Sequence, residues 1–155
     1  MAWETLFNLA NGWAIIGWLA LAFLPRDPRI LALILYLGVA LLCLVYTVAL
    51  VAILAGGVDP VGPTGGDFST LAGVMTLFDS KGGAVIGWTH YLAFDLFVGM
   101  WIARDADQKG FSRAAQLPFL LFTFFLGPVG LLGWLVIRDR RARAQAKTKA
   151  AGKAA

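Results

Sequence analysis

The chain has 155 residues, of which 59% are hydrophobic and only 14% are charged, with a formal net charge of +4. About a quarter of the residues in a soluble domain are charged, so this composition excludes an ordinary globular domain and indicates an integral membrane protein. The single cysteine, Cys43, excludes a disulfide framework. The sequence also has no Cys/His spacing typical of a metal site, so we expect no metal and no other cofactor.

Four apolar segments predict membrane-spanning helices, because about 20 apolar residues cross the hydrocarbon core. They cover residues 3–24, 30–54, 84–103 and 116–137. Pro128 interrupts the last segment just after Gly127, removes one backbone hydrogen bond and predicts a kink. The expected fold is an all-α membrane protein, a four-transmembrane-helix bundle formed by residues 1–137 as one domain.

The stretch between the second and third segments has a different character. Residues 56–66 are rich in Gly and Pro and predict a loop. In residues 68–79 the apolar side chains recur at helical spacing and form one apolar face. This segment is too short to span, so it predicts a short amphipathic helix in the membrane interface.

The charge distribution predicts an orientation. Residues 138–155 hold seven Lys/Arg against one Asp, and their Ala/Lys-rich end predicts a disordered tail. Four spans would put both termini on one side, which would carry eight Lys/Arg against five on the other. The positive-inside rule then places both termini in the cytoplasm. Because the basic residues follow an apolar segment, we expect membrane lipids as partners and no nucleic acid.

Several polar side chains fall at one depth of the predicted bundle, in the same half of the membrane. They are Asn8, Asn11, Tyr46, Thr47, His90 and Asp95. An ionisable group at the bilayer centre costs at least ~2.5–3.5 kcal/mol on insertion scales, so Asp95 must face the bundle interior or water, or be protonated. This convergence predicts a polar site among the first three spans.

Asp95 is the strongest functional candidate, and His90 is the second. A structural alternative for Asp95 is a hydrogen bond to Tyr91 one turn earlier, or to Asn11 across a helix interface. His90 and Asp95 point about 140° apart on a straight helix, with a rise of about 7.5 Å. They therefore do not bond directly, although they can line a shared pocket from adjacent sectors.

Three sequence blocks carry a family resemblance. WTHYLAFDLFVG, preceded by FSTLAGVMTLF and followed by LPFLLFTFFLGPVGLLGW, resembles the abscisic-acid-deficient-four-like family, whose plant members are associated with neoxanthin synthesis in plastid membranes. The resemblance runs from about residue 7 to residue 137. Its His-x-x-x-x-Asp pattern matches His90 and Asp95, and its Gly-Pro-x-Gly pattern matches residues 127–130. The family often has a basic residue where this chain has Met100. The short chain without a transit peptide resembles a bacterial-type member, located in the inner membrane.

The resemblance implies a carotenoid or other isoprenoid as the ligand and a carotenoid isomerisation as the reaction. In this reaction an epoxide opens to an allene with no net redox change. It implies His90 and Asp95 as the catalytic acid and base. We expect the surrounding pocket to include Asn8, Asn11, Tyr46, Thr47, Trp88, Tyr91 and Phe94. The helix over residues 68–79 would act as a lid, and the substrate would enter from the bilayer.

Two other classes of function stay open. The first is a non-catalytic carotenoid-binding or structural membrane protein, in which the polar residues only fix helix pairing. The second is a small transporter or proton-coupled channel. A single intramembrane carboxylate and the absence of an inverted sequence repeat argue against transport. A homo-oligomer is also compatible with the sequence.

Overall fold

The computed structural model of the chain describes residues 2–56 and 66–139. These residues form helices joined by turns, with no strand among them. The helices are α1 (Ala2–Phe23), α2 (Pro28–Leu54), α3 (Leu71–Phe78), α4 (Lys81–Gln108), α5 (Arg113–Leu126) and α6 (residues 128–139). In α2 the turns widen to a π-helix over Ile34–Ala40. Residues 57–65 of the loop predicted over residues 56–66 lie outside the described residues, and so does the predicted tail from position 140 on.

Three helices are long and apolar enough to cross a membrane. They are α1, α2 and α4, with 22, 27 and 28 residues. At 1.5 Å per residue these helices are about 33, 40 and 42 Å long, against about 30 Å of hydrocarbon. The prediction of a membrane protein is confirmed, and each of the three predicted spans 3–24, 30–54 and 84–103 corresponds to one of these helices.

The core of the bundle forms where α1 and α2 pack on α4. Leu96 of α4 is fully buried and lies against two glycines, one on each neighbouring helix. A Cβ atom on Gly17 would lie 2.7 Å from Leu96 Cδ2, and one on Gly38 would lie 3.2 Å from the same atom. Small residues at these positions let three helix backbones approach closely, as membrane helices do.

Residues 116–137, predicted as a fourth spanning helix, form two antiparallel helices instead. A Cβ atom on Gly130 would lie 2.6 Å from Phe119 O, although eleven residues of a continuous helix span about 16 Å. The Trp134 ring lies 5.5 Å from the Phe119 ring and 5.0 Å from the Phe111 ring. The chain therefore reverses at Gly127, and α5 and α6 form a helical hairpin.

The residues at the reversal explain why a turn forms where the sequence predicts only a kink. Gly127 has φ +36°, a conformation that side-chain-bearing residues rarely adopt. Pro128 follows as the first residue of α6. Proline lacks a backbone N–H, and at this position an N–H would have no hydrogen-bond partner within the helix. The hairpin arms, of 14 and 12 residues, are about 21 and 18 Å long and too short to cross the hydrocarbon core.

The hairpin separates the two described ends of the chain. At the first end of the bundle, Lys81 Nζ lies 2.8 Å from Glu4 Oε1. At the second end, Arg138 Nη2 lies 2.9 Å from Asp105 Oδ1. Residues 2 and 139 are thus at opposite ends of the bundle. The prediction that both termini share a side disagrees with this arrangement, because it counted the hairpin as a crossing.

The amphipathic segment predicted over residues 68–79 contains α3. Thr70 caps α3, since its hydroxyl accepts from the Gly73 N–H at 3.0 Å. Before it, Asp67 Oδ1 accepts from the hydroxyl and the N–H of Ser69, at 2.7 and 2.8 Å, and from the Thr70 N–H at 3.0 Å. These bonds lower the pKa of Asp67, and the bond from the Ser69 hydroxyl contributes most to the shift. The depth of α3 relative to a membrane surface stays a prediction.

Candidate functional site

The helix α4 carries the candidate residues on two different faces. Gly83, Gly87, His90 and Phe94 follow helical spacing along the face that looks toward α2 and α3. Trp88, Tyr91 and Asp95 follow the same spacing along the face toward α1 and the hairpin. The polar residues that the sequence groups by depth are thus divided between two sites.

The first site is a pocket of about 470 Å³ enclosed by α2, α3 and α4. Its wall is mostly apolar. It includes Tyr46, Leu50, Ile53, Leu77, Phe78 and His90. Its volume falls within the range of about 300–1,000 Å³ that is usual for small-molecule sites.

Two glycines of α4 create the close approach of α3 that covers this pocket. A Cβ atom on Gly83 would lie 2.9 Å from the Leu77 carbonyl carbon, and one on Gly87 would lie 2.9 Å from Phe78 Cζ. The glycines are four residues apart and therefore share a face. Neither glycine was predicted as a site residue from the sequence, although their Gly-x-x-x-Gly spacing is a known signal for close helix contact in membranes.

His90 stands at the wall of the pocket between two aromatic rings. Its ring centroid lies 4.5 Å from that of Phe94 and 5.7 Å from that of Tyr46. Among the described residues of the pocket wall, His90 is the one imidazole, the side chain that most often transfers protons in enzymes. The pocket therefore combines an apolar volume with one group suited to proton transfer.

The second site joins α1 to the other face of α4. Trp88 Nε1 donates to Asn11 Oδ1 at 2.9 Å, and Asn11 Nδ2 donates to the Phe7 carbonyl at 2.7 Å. The Trp88 ring stacks on the Tyr91 ring at 5.2 Å. These contacts fix the pairing of α1 with α4, the structural role that the sequence analysis left open for polar residues.

Asp95 continues this face and meets the tip of the hairpin. Its side chain is only 9% exposed, and Oδ2 is buried without a hydrogen-bond partner among the described residues. Tyr91, one turn earlier, directs its hydroxyl toward the same carboxyl. A Cβ atom on Gly127 would lie 2.6 Å from Asp95 Oδ1. Asp95 therefore contacts protein at the reversal of the hairpin, and it does not line the pocket beneath α3.

The predicted site residues thus fall into three groups. The structure brings Tyr46, His90 and Phe94 together around the pocket. It places Trp88, Tyr91 and Asp95 along the second face of α4, where Trp88 bonds Asn11 of α1. Asn8 and Thr47 join neither group, since both are exposed and the Thr47 hydroxyl donates to the Cys43 carbonyl of its own helix at 2.8 Å.

A further polar cluster closes the second end of the bundle, and sequence reasoning did not find it. Arg26, whose side chain is 7% exposed, donates to Asp107 Oδ1 at 2.9 Å, to the Ala103 carbonyl at 3.1 Å and to Gln116 Oε1. The fully buried Gln116 donates to Asp107 Oδ1 at 2.8 Å and to the Phe111 carbonyl at 2.9 Å. The cluster ties the α1–α2 connection to α4 and α5.

The described residues contain no group of three or more His, Cys, Asp or Glu that could hold a metal ion.

Three apolar helices of spanning length define an integral membrane protein. A family model described as ABA DEFICIENT 4-like matches residues 5–134, most of the chain, and the chain belongs to this family. Comparisons with curated proteins and with solved structures gave no match.

Proposed function

We propose that this protein binds the ring-bearing end of a carotenoid, or of a similar isoprenoid, in the pocket beneath α3 and isomerises it. The observation that carries the proposal is the apolar pocket of about 470 Å³ with His90 at its wall. Family membership and the three spanning helices support a membrane-embedded, apolar ligand.

The ligand would enter from the bilayer. A carotenoid is much longer than the pocket, so only one end group would be enclosed and the polyene would lie along the lipid-facing helix surface. Leu54 at the end of α2 and Phe94 on α4 are exposed apolar side chains next to the pocket. α3 would lie in the membrane interface as the cover, with Phe68 and Leu71, 86% and 78% exposed, toward the lipid.

The chemistry is a proton transfer with no net redox change. A base removes a proton from the carbon next to the ring, and that electron pair forms a new carbon–carbon double bond. The epoxide C–O bond breaks as this bond forms, and the oxygen takes up a proton to become a hydroxyl. We assign proton removal to His90 and proton donation to the Tyr46 hydroxyl, and the proton on His90 then restores Tyr46.

We assign a different role to Asp95. Because its carboxyl contacts Gly127 rather than the pocket, Asp95 would hold the hairpin tip in place as a positioning residue. This replaces the acid/base pairing of Asp95 with His90, since the two side chains are on different faces of α4.

A non-catalytic carotenoid-binding protein is the second candidate. The stacking of His90 on Phe94, with ring centroids 4.5 Å apart, favours it, because stacked rings can hold a polyene without any proton transfer. In that case His90 contributes only a flat surface to the pocket.

Incubation of the purified protein with an epoxy-carotenoid, followed by chromatography, tests both candidates. We expect conversion by the wild type, and a loss of about 100-fold or more with His90→Gln and with Tyr46→Phe while pigment stays bound. Thr47→Val is the matched control, because Thr47 neighbours Tyr46 but is exposed and bonds only its own helix. Bound but unchanged pigment supports the second candidate, and an absence of binding overturns both.

A further inference from the structure

We infer that this protein crosses the membrane three times, and that the α5–α6 hairpin enters and leaves from the cytoplasmic side. The pocket beneath α3 then opens in the leaflet that faces away from the cytoplasm. The orientation rests on the geometry of the described residues and on the charges of the sequence. The identity of the ligand that uses this pocket rests on the proposed function.

The hairpin reaches only the middle of the bundle. Its tip, Gly127, contacts Asp95, which lies at the midpoint of α4. Its arms are about 21 and 18 Å long, against about 30 Å of hydrocarbon. Both arms have their outer ends at the second end of the bundle, where Trp134 Nε1 donates to Asp105 Oδ2 at 2.9 Å. The hairpin is therefore a re-entrant element.

The hairpin tip at Gly127 is covered by protein, which makes a turn of the backbone inside the hydrocarbon core possible. Irregular backbone is tolerated there only where protein or a water-filled cavity covers it. Gly127 is buried against Asp95, and Gly130 is buried against α5. Nearer the second end of the bundle, Trp134 of the same hairpin is fully buried between Phe111 and Phe119. The side chains that face outward from the tip, such as Phe125, are apolar.

Positive charge is concentrated at the second end. Among the described residues, the Lys and Arg there are Arg26, Arg29, Arg104, Lys109, Arg113 and Arg138. In the described part of the first end, Lys81 is the one Lys or Arg residue. The sequence adds six more Lys/Arg after Asp139, within the window of about 15–20 residues in which such charges orient a span. The positive-inside rule therefore makes the second end cytoplasmic.

The pocket belongs to the opposite half of the bundle. Gly83, Gly87 and His90 lie in the first three turns of α4, which begins at the first end beside Glu4. Ile53 lies in the last turn of α2, at the same end. With the second end in the cytoplasm, an apolar ligand would reach the pocket from the far leaflet.

Cysteine accessibility tests this topology without any pigment. In a Cys43→Ser background, single cysteines replace the exposed residues Asp79 at the first end, and Gln108 and Asp139 at the second. Intact cells of the expression host are treated with a membrane-impermeant maleimide, and each variant is compared with its reactivity after detergent lysis. Cys43→Ser without an added cysteine is the control for background labelling.

We expect Asp79→Cys to react in intact cells, and Gln108→Cys and Asp139→Cys to react only after lysis. Equal behaviour of Asp79→Cys and Asp139→Cys, with both reactive in intact cells or both protected, would show a fourth crossing and overturn the hairpin inference. Reaction of Gln108→Cys and Asp139→Cys, with Asp79→Cys protected, would overturn the orientation. Neither outcome depends on ligand binding, so a failure of the proposed function leaves this test unaffected.

Discussion

The carboxyl of Asp95 lies against the backbone of Gly127, so closely that a Cβ atom on Gly127 would be 2.6 Å from Oδ1 and 3.0 Å from Oδ2. Gly127 also has φ +36°. Contact and conformation together require glycine at the hairpin tip. The contact sets the depth that the α5–α6 hairpin reaches beside α4.

Gly127→Ala should destabilise the protein by about 1–3 kcal/mol, through backbone strain and overlap with Asp95. Unfolding in detergent micelles, followed by tryptophan fluorescence, measures the change. Gly12→Ala in α1 is the control, because a Cβ there meets nothing within 4 Å and alanine favours a helix. Equal stability of Gly127→Ala and the wild type would contradict the tip geometry.

Combining Gly127→Ala with Asp95→Ala separates the two causes. Removing the carboxyl relieves the overlap but leaves the positive φ, so the double variant should lose less than the sum of the two single losses. The same unfolding experiment gives the coupling energy. Strictly additive losses would mean that Asp95 and Gly127 do not touch.

The hairpin shows where sequence reasoning stops. Hydropathy and length predict a span over residues 116–137, and Gly127-Pro128 is compatible with either a kink or a reversal. Contacts between residues distant in sequence, such as Phe119 with Gly130 and Asp105 with Trp134, establish the reversal. The prediction of a fourth span counted this segment as a crossing, whereas its two arms place residue 139 at the end of the bundle opposite residue 2.

Arg26→Gln should destabilise the protein by about 1–3 kcal/mol, because it removes bonds to Asp107 and leaves the buried Gln116 oxygen without its donor. Asp107 is 40% exposed, and solvent screening keeps the loss below that of a fully buried ion pair. Arg29→Gln is the control, since Arg29 is exposed and its change should stay within about 0.5 kcal/mol. Similar unfolding midpoints for both variants would argue against the cluster.

The turn before α3 should respond to acid. The pKa of Asp67 is lowered from its ordinary 3.8, so its bonds to Ser69 and Thr70 stabilise the fold above that value and are lost as pH falls through the folded pKa. Hydrogen exchange across Leu71–Phe78, corrected for intrinsic rates, should show reduced protection below pH 3.8. Asp67→Asn keeps an acceptor oxygen that does not titrate and should lack this change. The same loss of protection in both proteins would contradict the role of Asp67.

The candidate site could be predicted in part. The positions of His90 and Tyr46 along their helices predicted that they lie at one depth, and their rings are in contact. The angle of about 140° between the His90 and Asp95 side chains around the helix axis argued against a direct hydrogen bond between them. Sequence could not show which neighbour covers each face of α4. That depends on how closely α3 approaches Gly83 and Gly87, which is a property of the packed backbone.

Gly87→Leu should fill the pocket and displace Phe78, whose ring already lies where a Cβ would be. If overpacking weakens ligand binding by about 1–3 kcal/mol, the affinity for the ligand falls by about 5- to 150-fold. Gly12→Leu is the control, because it adds the same side chain at an open position on α1. Undiminished ligand in a folded Gly87→Leu variant would place the binding site elsewhere.

The most direct test of a carotenoid-binding pocket is the absorption spectrum and lipid-extract mass spectrum of the wild-type protein, purified in mild detergent from a carotenoid-containing host. We expect a bound polyene, at a level that Gly87→Leu lowers and Gly12→Leu does not. A colourless protein that carries only phospholipid would contradict the proposal.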